Sequence, residues 1–230
     1  MRQKEISLNI RPIKPLDEEF DDDHLLTSWN TPLREDAFAL NDDEKIEQIE
    51  KRFREIMEIL GLDLTDDSLQ GTPRRVAKMY VKEVFSGLNP KNRPVAKLFD
   101  NKYKYDQMLV EKDITFYSHC EHHFVPIFGK AHVAYISSGT VIGLSKLNRI
   151  VNYYAKRPQV QERLTVQIAT DLQEILQTKD VAVLVDAKHL CVSSRGIRDN
   201  SASTITSFYG GRFNEESVKR DFMTSIHLKI

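Results

Sequence analysis

Val181-Ala182-Val183-Leu184-Val185-Asp186-Ala187-Lys188-His189-Leu190-Cys191 opens on a run of five apolar residues, among the longest in the chain. The run reads as a central strand, apolar on both faces, that delivers His189 and Cys191 at its end. On a strand those two side chains, two positions apart, project to one face, so a soft ligand and a proton carrier emerge together. Working upstream, Leu164, Ile168, Leu172 and Ile175 share one face of a long helix after Pro158. Ser145 opens another helix carrying Leu147, Ile150, Val151 and Tyr154, which closes near Arg157-Pro158. Earlier still, Met108-Leu109-Val110, Ile114 and Phe116, and then Ala131, Val133 and Tyr135 at period two, predict strands. Downstream, residues 203–209 predict a further strand and Val218, Phe222 and Ile226 a terminal helix. Residues 106–230 are therefore expected to form an α+β domain with two helices packed on a sheet.

The preceding residues, 42–105, read as a helical segment. Asn41 with Glu44 resembles a capping pair, after which Ile46, Ile49, Phe53, Ile56, Met57 and Leu60 recur at helical spacing until Gly61. A second helix begins at Thr72-Pro73, with Thr72 as cap, and ends near Gly87. Residues 1–41 carry Pro12, Pro15 and an acidic cluster with no sustained period, which predicts a loosely packed arm.

With 230 residues and 40% hydrophobic content, the chain is long enough for a core without disulfide support. A formal charge of -1 gives no global basic field that would favour nucleic acid or an anionic membrane, so an anion site must be local. Neither signal peptide nor membrane span is legible. The expected location is cytoplasmic, where thiols stay reduced.

Both cysteines lie beside histidines, in Cys120-Glu121-His122-His123 and His189-Leu190-Cys191. Cys120 and His123, three apart, suit one tight turn aiming two donors at a common point, with Cys191 as third donor from a distant segment. Three protein ligands leave zinc an open position for a water whose pKa falls to roughly 7. His122 and His189 then remain as proton carriers. A structural zinc would instead recruit one of them as fourth ligand, and spacing alone leaves both readings open.

A second constellation is basic. Lys146 and Arg149 lie in the first turn of the helix begun by Ser145, where backbone N–H groups already favour an anion. Arg195 ties such a phosphate seat to the metal turn, and Arg75 with Lys78 adds charge from another element or another subunit. Glu162, with Gln161 beside it, offers an acceptor pair suited to the N1–H and 2-amino edge of guanine.

Together these residues resemble the GTP cyclohydrolase I family over about residues 65–213. The resemblance rests on five segments: Thr72-Pro73-x-Arg75-Val76-Ala77-Lys78-Met79-Tyr80, Ser118-x-Cys120-Glu121-His122-His123-Phe124, Gly143-Leu144-Ser145-Lys146-Leu147-Asn148-Arg149-Ile150, Arg157-Pro158-Gln159-Val160-Gln161-Glu162-Arg163-Leu164-Thr165 and His189-x-Cys191-Val192-x-x-Arg195-Gly196. It implies a tunnelling fold, an antiparallel sheet with helices on one face, joined into a homo-oligomeric ring, commonly two stacked pentamers with sites between subunits. It further implies zinc on Cys120, His123 and Cys191, proton transfer by His122 and His189, and a guanine edge held by Gln161 and Glu162. Ser145, Lys146, Arg149 and Arg195 would meet the triphosphate, with Arg75 and Lys78 reaching it from a neighbouring chain and Ser145 assisting later proton handling. The implied reaction converts GTP and water to formate and 7,8-dihydroneopterin triphosphate, a first step of folate or pterin synthesis. Two other readings are another tunnelling-fold enzyme acting on a pterin or deazapurine, and a zinc-stapled nucleotide-binding module.

Overall fold

The computed structural model describes residues 28–227. Residues 1–27 of the expected arm lie outside the described residues. The part from Ser28 on packs against the domain, its Ser28 carbonyl accepting from Arg163 Nε at 3.0 Å and Asn30 Oδ1 from Gln167 Nε2 at 3.4 Å.

Helix α1 spans Asp42–Ile59, and Asn41 closes the expected capping box. Its Oδ1 accepts from the Asp43 and Glu44 amides, and Glu44 Oε2 accepts from the Asn41 amide. Only part of the periodic stripe is covered: Ile46 and Met57 are buried, whereas Ile56 and Leu60 are exposed. Helix α2, Thr72–Met79, starts one residue earlier than the sequence implied, because Gly71 is the cap and Thr72 is already helical. It does not run on to Gly87 as an α-helix. A wide turn at Tyr80–Val84 and a tight one at Ser86–Leu88 follow it. Gly87 is required where the chain then docks on the domain: its amide donates to Lys156 O at 2.9 Å, and a Cβ there would stand 2.0 Å from Tyr153 O.

The domain is built on a five-stranded sheet. In chain order its strands are β2 (Met108–Cys120), β3 (Pro126–Ile136), β5 (Pro158–Gln159), β6 (Val181–His189) and β7 (Thr204–Tyr209), with spatial order β5-β2-β3-β6-β7. All pairs are antiparallel except β2 with β5. Strands β1 (Leu98–Asp100) and β4 (Thr140–Ile142) form a separate two-stranded ribbon. The run 181–185 is central and buried, as expected from its lack of a polar face. Helices α3 (Leu144–Ala155) and α4 (Gln161–Leu176) lie on one face, where Leu147, Ile150, Leu164, Ile168 and Leu172 meet Phe116, Ala131, Val133, Val183 and Val185.

Two expectations need correction. The helices do not all pack on one face: α6 (Glu216–His227) puts Phe222 and Ile226 against Ala134, Ile136, Ala182 and Leu184, the alternate residues of β3 and β6. The periodicity of α6 shows that it is amphipathic but carries no signal for which side of the sheet it covers. Nor is Cys191 on a strand. Strand β6 ends at His189, and Cys191 stands in the one-turn helix α5, Leu190–Ser193.

Gly87→Ala is expected to destabilise the protein by roughly 1–3 kcal/mol, the usual cost of forcing an atom into a packed contact. Denaturant unfolding checks this, and an unchanged midpoint would show that the docking contact relaxes freely.

Candidate active site

The metal turn is the β2–β3 connection. Cys120 ends β2, residues 121–123 turn, Phe124 takes a left-handed conformation at φ 54°, and β3 begins at Pro126. Two backbone bonds close it, Phe124 N–H to Cys120 O at 2.8 Å and Cys120 N–H to Val125 O at 2.9 Å. Strand β6 pairs Ile127 with His189, so its end arrives beside the same turn, and the single turn of α5 swings Cys191 inward. The candidate ligand atoms of Cys120, His123 and Cys191 consequently all lie within 4.8 Å of one another. His122 Nδ1 comes within 3.8 Å of Cys120 Sγ, but neither it nor His189 belongs to that cluster.

Burial first, and then the neighbouring Cys120, push the Cys191 thiol up to about 11. Arg195 Nη1 lies 2.9 Å from His123 Nε2, and since a guanidinium only donates, Nε2 accepts. Arg195 thus joins the metal turn, as its place four residues past Cys191 suggested.

His189 is held from the start of α4. Its Nε2 lies 2.7 Å from Gln161 Oε1. Gln161 Nε2 meanwhile donates to Val185 O at 3.1 Å and Thr204 O at 2.8 Å, which fixes the amide orientation. Gln161 is therefore buried and faces His189 and the sheet, whereas the sequence reading had it open to a base edge. Glu162, next on the helix, is exposed and close enough for its charge to oppose the burial that lowers the proton affinity of His189. Helix α4 has no side-chain cap, so the N–H groups of its first turn point toward this end of the sheet.

The phosphate seat lies elsewhere. Asn148, in the same turn as Lys146 and Arg149, donates to Glu111 Oε1 at 3.2 Å. Glu111 and Cys120 are nine positions apart on β2, about 30 Å at roughly 3.3 Å per residue. Lys146 and Arg149 line a cavity of about 410 Å³ with Lys156, Asn92 and Asn152, and neither Cys191 nor Arg195 borders it. Ser145 is exposed at the same helix start. Arg75 and Lys78 are exposed on α2, and no hydrogen bond or ion pair of their side chains was found among the described residues. One residue pair escaped the sequence reading: Arg163 forks onto Glu121, the residue between Cys120 and His122. Both stood in quoted motifs, but spacing gives no sign that they meet.

Fold and site together define a class, an α+β protein with a compact Cys-His-Cys site able to hold a transition-metal ion. The sequence pattern of the GTP cyclohydrolase I family matches residues 49–227. A GTP cyclohydrolase 1 of Flavobacterium johnsoniae is 62% identical over 92% of this chain and 95% of its own. Proteins of the same name from Aeromonas salmonicida and Citrobacter koseri are 56% and 51% identical, over 83% and 85% of this chain and 86% and 89% of theirs. The chain belongs to the GTP cyclohydrolase I family, and its function is the enzymatic one that the family name states. The match begins earlier and ends later than the quoted motifs, taking in most of α1 and all of α6.

Because thiolates rather than thiols bind metal, zinc binding at pH 7 is expected to expel the Cys191 proton and to tighten as pH rises toward the raised thiol pKa. Calorimetry in buffers of different ionisation heat measures this. Cys191→Ser is expected to lose both zinc and activity, and a fully active, metal-free variant would exclude the cluster as the centre.

Proposed function

We propose that this chain converts GTP and water to formate and 7,8-dihydroneopterin triphosphate at a zinc site made of Cys120, His123 and Cys191, completed by residues of neighbouring copies. The observation that carries the reading is the convergence of those three donors beside His189 at the uncapped start of α4. The residues fit zinc: two sulfurs and one imidazole form a three-ligand set, and a buried thiol with a raised pKa beside a second thiol is relieved by a dication. When bound, zinc supplies Lewis-acid activation of water.

The protein's own groups do the rest. Gln161 Oε1 can only accept, so Nε2 of His189 carries a hydrogen and Nδ1 is left to exchange protons with the substrate. His189 gives a proton to N7 of guanine as C8 is attacked, and His122, across the turn, is the second proton carrier. Glu162 accepts from N1–H and the 2-amino group. Gln161, whose side chain is committed to His189, contributes instead through the backbone N–H groups of the α4 start, donors that suit the guanine O6 beside that edge. Ring opening leaves a formamide, whose hydrolysis by a second water releases formate, and the freed ribose rearranges and closes onto the diamine with loss of one water, with Ser145 handling protons at that stage.

Ser145, Lys146, Arg149 and Arg195 take the triphosphate, and Arg75 with Lys78 reach it from another chain. A single chain brings Arg195 to its own His123 but not Ser145, Lys146 and Arg149, because α3 starts about 30 Å along β2 from Cys120. That separation supports a homo-oligomeric ring of the tunnelling-fold type, a pair of pentamers on the family pattern, in which one copy's phosphate seat faces another's metal turn. Both cysteines are free thiols, and no helix among the described residues is long and apolar enough to cross a membrane. These features suit a cytoplasmic enzyme of folate or pterin synthesis.

Incubation with GTP and zinc is expected to yield formate and a fluorescent pterin after oxidation, and absence of both would end this reading. Glu162→Ala is expected to lower kcat/KM for GTP by roughly 1.5–3 kcal/mol, about ten- to a hundredfold, at unchanged zinc content. Equal discrimination between GTP and ATP before and after the substitution would remove Glu162 from the base site. Lys146→Ala and His122→Ala chains, each inactive alone, are expected to regain activity when co-assembled, because some mixed sites draw both intact halves. No recovery in confirmed mixed oligomers would place each whole site within one chain.

A further inference from the structure

Three consecutive residues at the start of α4 hold three different things: Gln161 holds His189, Glu162 faces outward, and Arg163 turns back to the metal turn. The Arg163 side chain is only 4% exposed, and each of its three nitrogens has a partner. Its Nη1 donates to Glu121 Oε2 at 2.6 Å, its Nη2 to Glu121 Oε1 at 3.0 Å, and its Nε to the Ser28 carbonyl at 3.0 Å. Glu121 is held a second time through its main chain, whose N–H donates to Gln159 O at 3.1 Å. The residue between Cys120 and His122 is thereby fixed at both backbone and side chain.

We propose that Arg163 and Glu121 are positioning residues for the metal turn: their two-pronged ion pair sets where Cys120, His122 and His123 stand, and so governs both retention of the metal and proton transfer by His122. The inference rests on the functional reading above. Stability alone is a poor account of the pair, because removing a guanidinium from water costs several kcal/mol and an apolar pair of similar volume is often as stable. A planar fork fixes orientation as well as distance, which a lysine ammonium does not. The turn needs such an external reference. It is closed by only two backbone bonds, and it contains Phe124 in a left-handed conformation that costs a non-glycine residue roughly 1–2 kcal/mol. Glu121 Oε1, one of the oxygens gripped by Arg163, stands 3.9 Å from His122 Nε2. Holding the carboxylate therefore also holds a negative charge beside the His122 ring. The grip comes from the helix that holds His189, so both proton carriers are referred to one rigid element.

The test compares Arg163→Lys, Glu121→Gln and the double variant with the parent. Zinc release to a chelator, kcat and KM for GTP at full zinc loading, and amide exchange across residues 120–125 are measured alongside the melting temperature. Each single variant is expected to release zinc about tenfold faster and to lose about tenfold in kcat, the scale seen when outer partners of metal ligands are removed, with KM little changed. The double variant is expected to be no worse than the poorer single one, since both delete one interaction. Faster exchange confined to residues 120–125 is expected in all three. Unchanged zinc release and kcat in both single variants, with only a lower melting temperature, would overturn the proposal, as would strictly additive effects. Glu121→Gln, an isosteric change at a partly exposed site, keeps the test available if the arginine variant folds poorly. A parent chain without zinc or turnover would defeat the functional reading instead. Exchange needs no metal, so unaltered exchange in the variants would still sink the fork's role by itself.

Discussion

The candidate metal site depends on bringing two thiols and an imidazole from two separate turns to within 4.8 Å of one another. Neither turn can do so alone, and what aligns them is strand register. The β2–β3 ladder runs to His119 and Pro126, and the β3–β6 ladder to Ile127 and His189, so both turns open at the same end of the sheet. A slip of one residue in β6 would send His189 to the opposite face and carry Cys191 away from Cys120. The burial of Val181, Val183, Val185 and Ala187 against α3 and α4 opposes that slip, because it would turn Val181 and Val183 into the face already filled by α6 and Val185 and Ala187 toward Lys130. Core packing and metal-site geometry are thus enforced by the same contacts.

Helix α4 converts that alignment into a working arrangement. Its apolar stripe anchors it to the sheet, and its uncapped start then presents consecutive side chains to distinct partners. Helix α3 runs along β2 from the Glu111 end, where Asn148 makes its contact, to the Cys120 end, where Lys156 meets Gly87 and β5 pairs with Cys120. Its basic first turn is consequently about as far from the same chain's thiols as the sheet allows.

Most of the fold was legible because its signals are local. The Asn41–Glu44 capping box, the stripes of α3 and α4, the alternation in β3 and the unbroken apolar run of β6 each specify one element from its own residues. The candidate metal-ligand cluster was legible for a related reason: Cys120 and His123 share a turn, and the second cysteine has few alternatives in a chain that holds only two. What the sequence hid was relational. The face on which α6 packs, the end of β6 at His189 before Cys191, and the inward turn of Gln161 depend on which elements meet, and periodicity is silent on that. Arg163 was read past because a basic residue near a helix start ordinarily faces water, and only its depth beneath Ser28 and its reach to Glu121 reveal otherwise.

The burial of Gln161 bears on how the molecule ages. Its amide nitrogen donates to two carbonyls that can do nothing but accept. Hydrolysis of that amide to a carboxylate, a slow spontaneous lesion of glutamine, would turn both attractions into repulsions and strip the neighbouring imidazole of a neutral support. Enclosure beneath β6 and β7 withholds the water that the lesion needs. The same packing that lets Gln161 orient His189 therefore preserves the Gln161 amide over the lifetime of the chain.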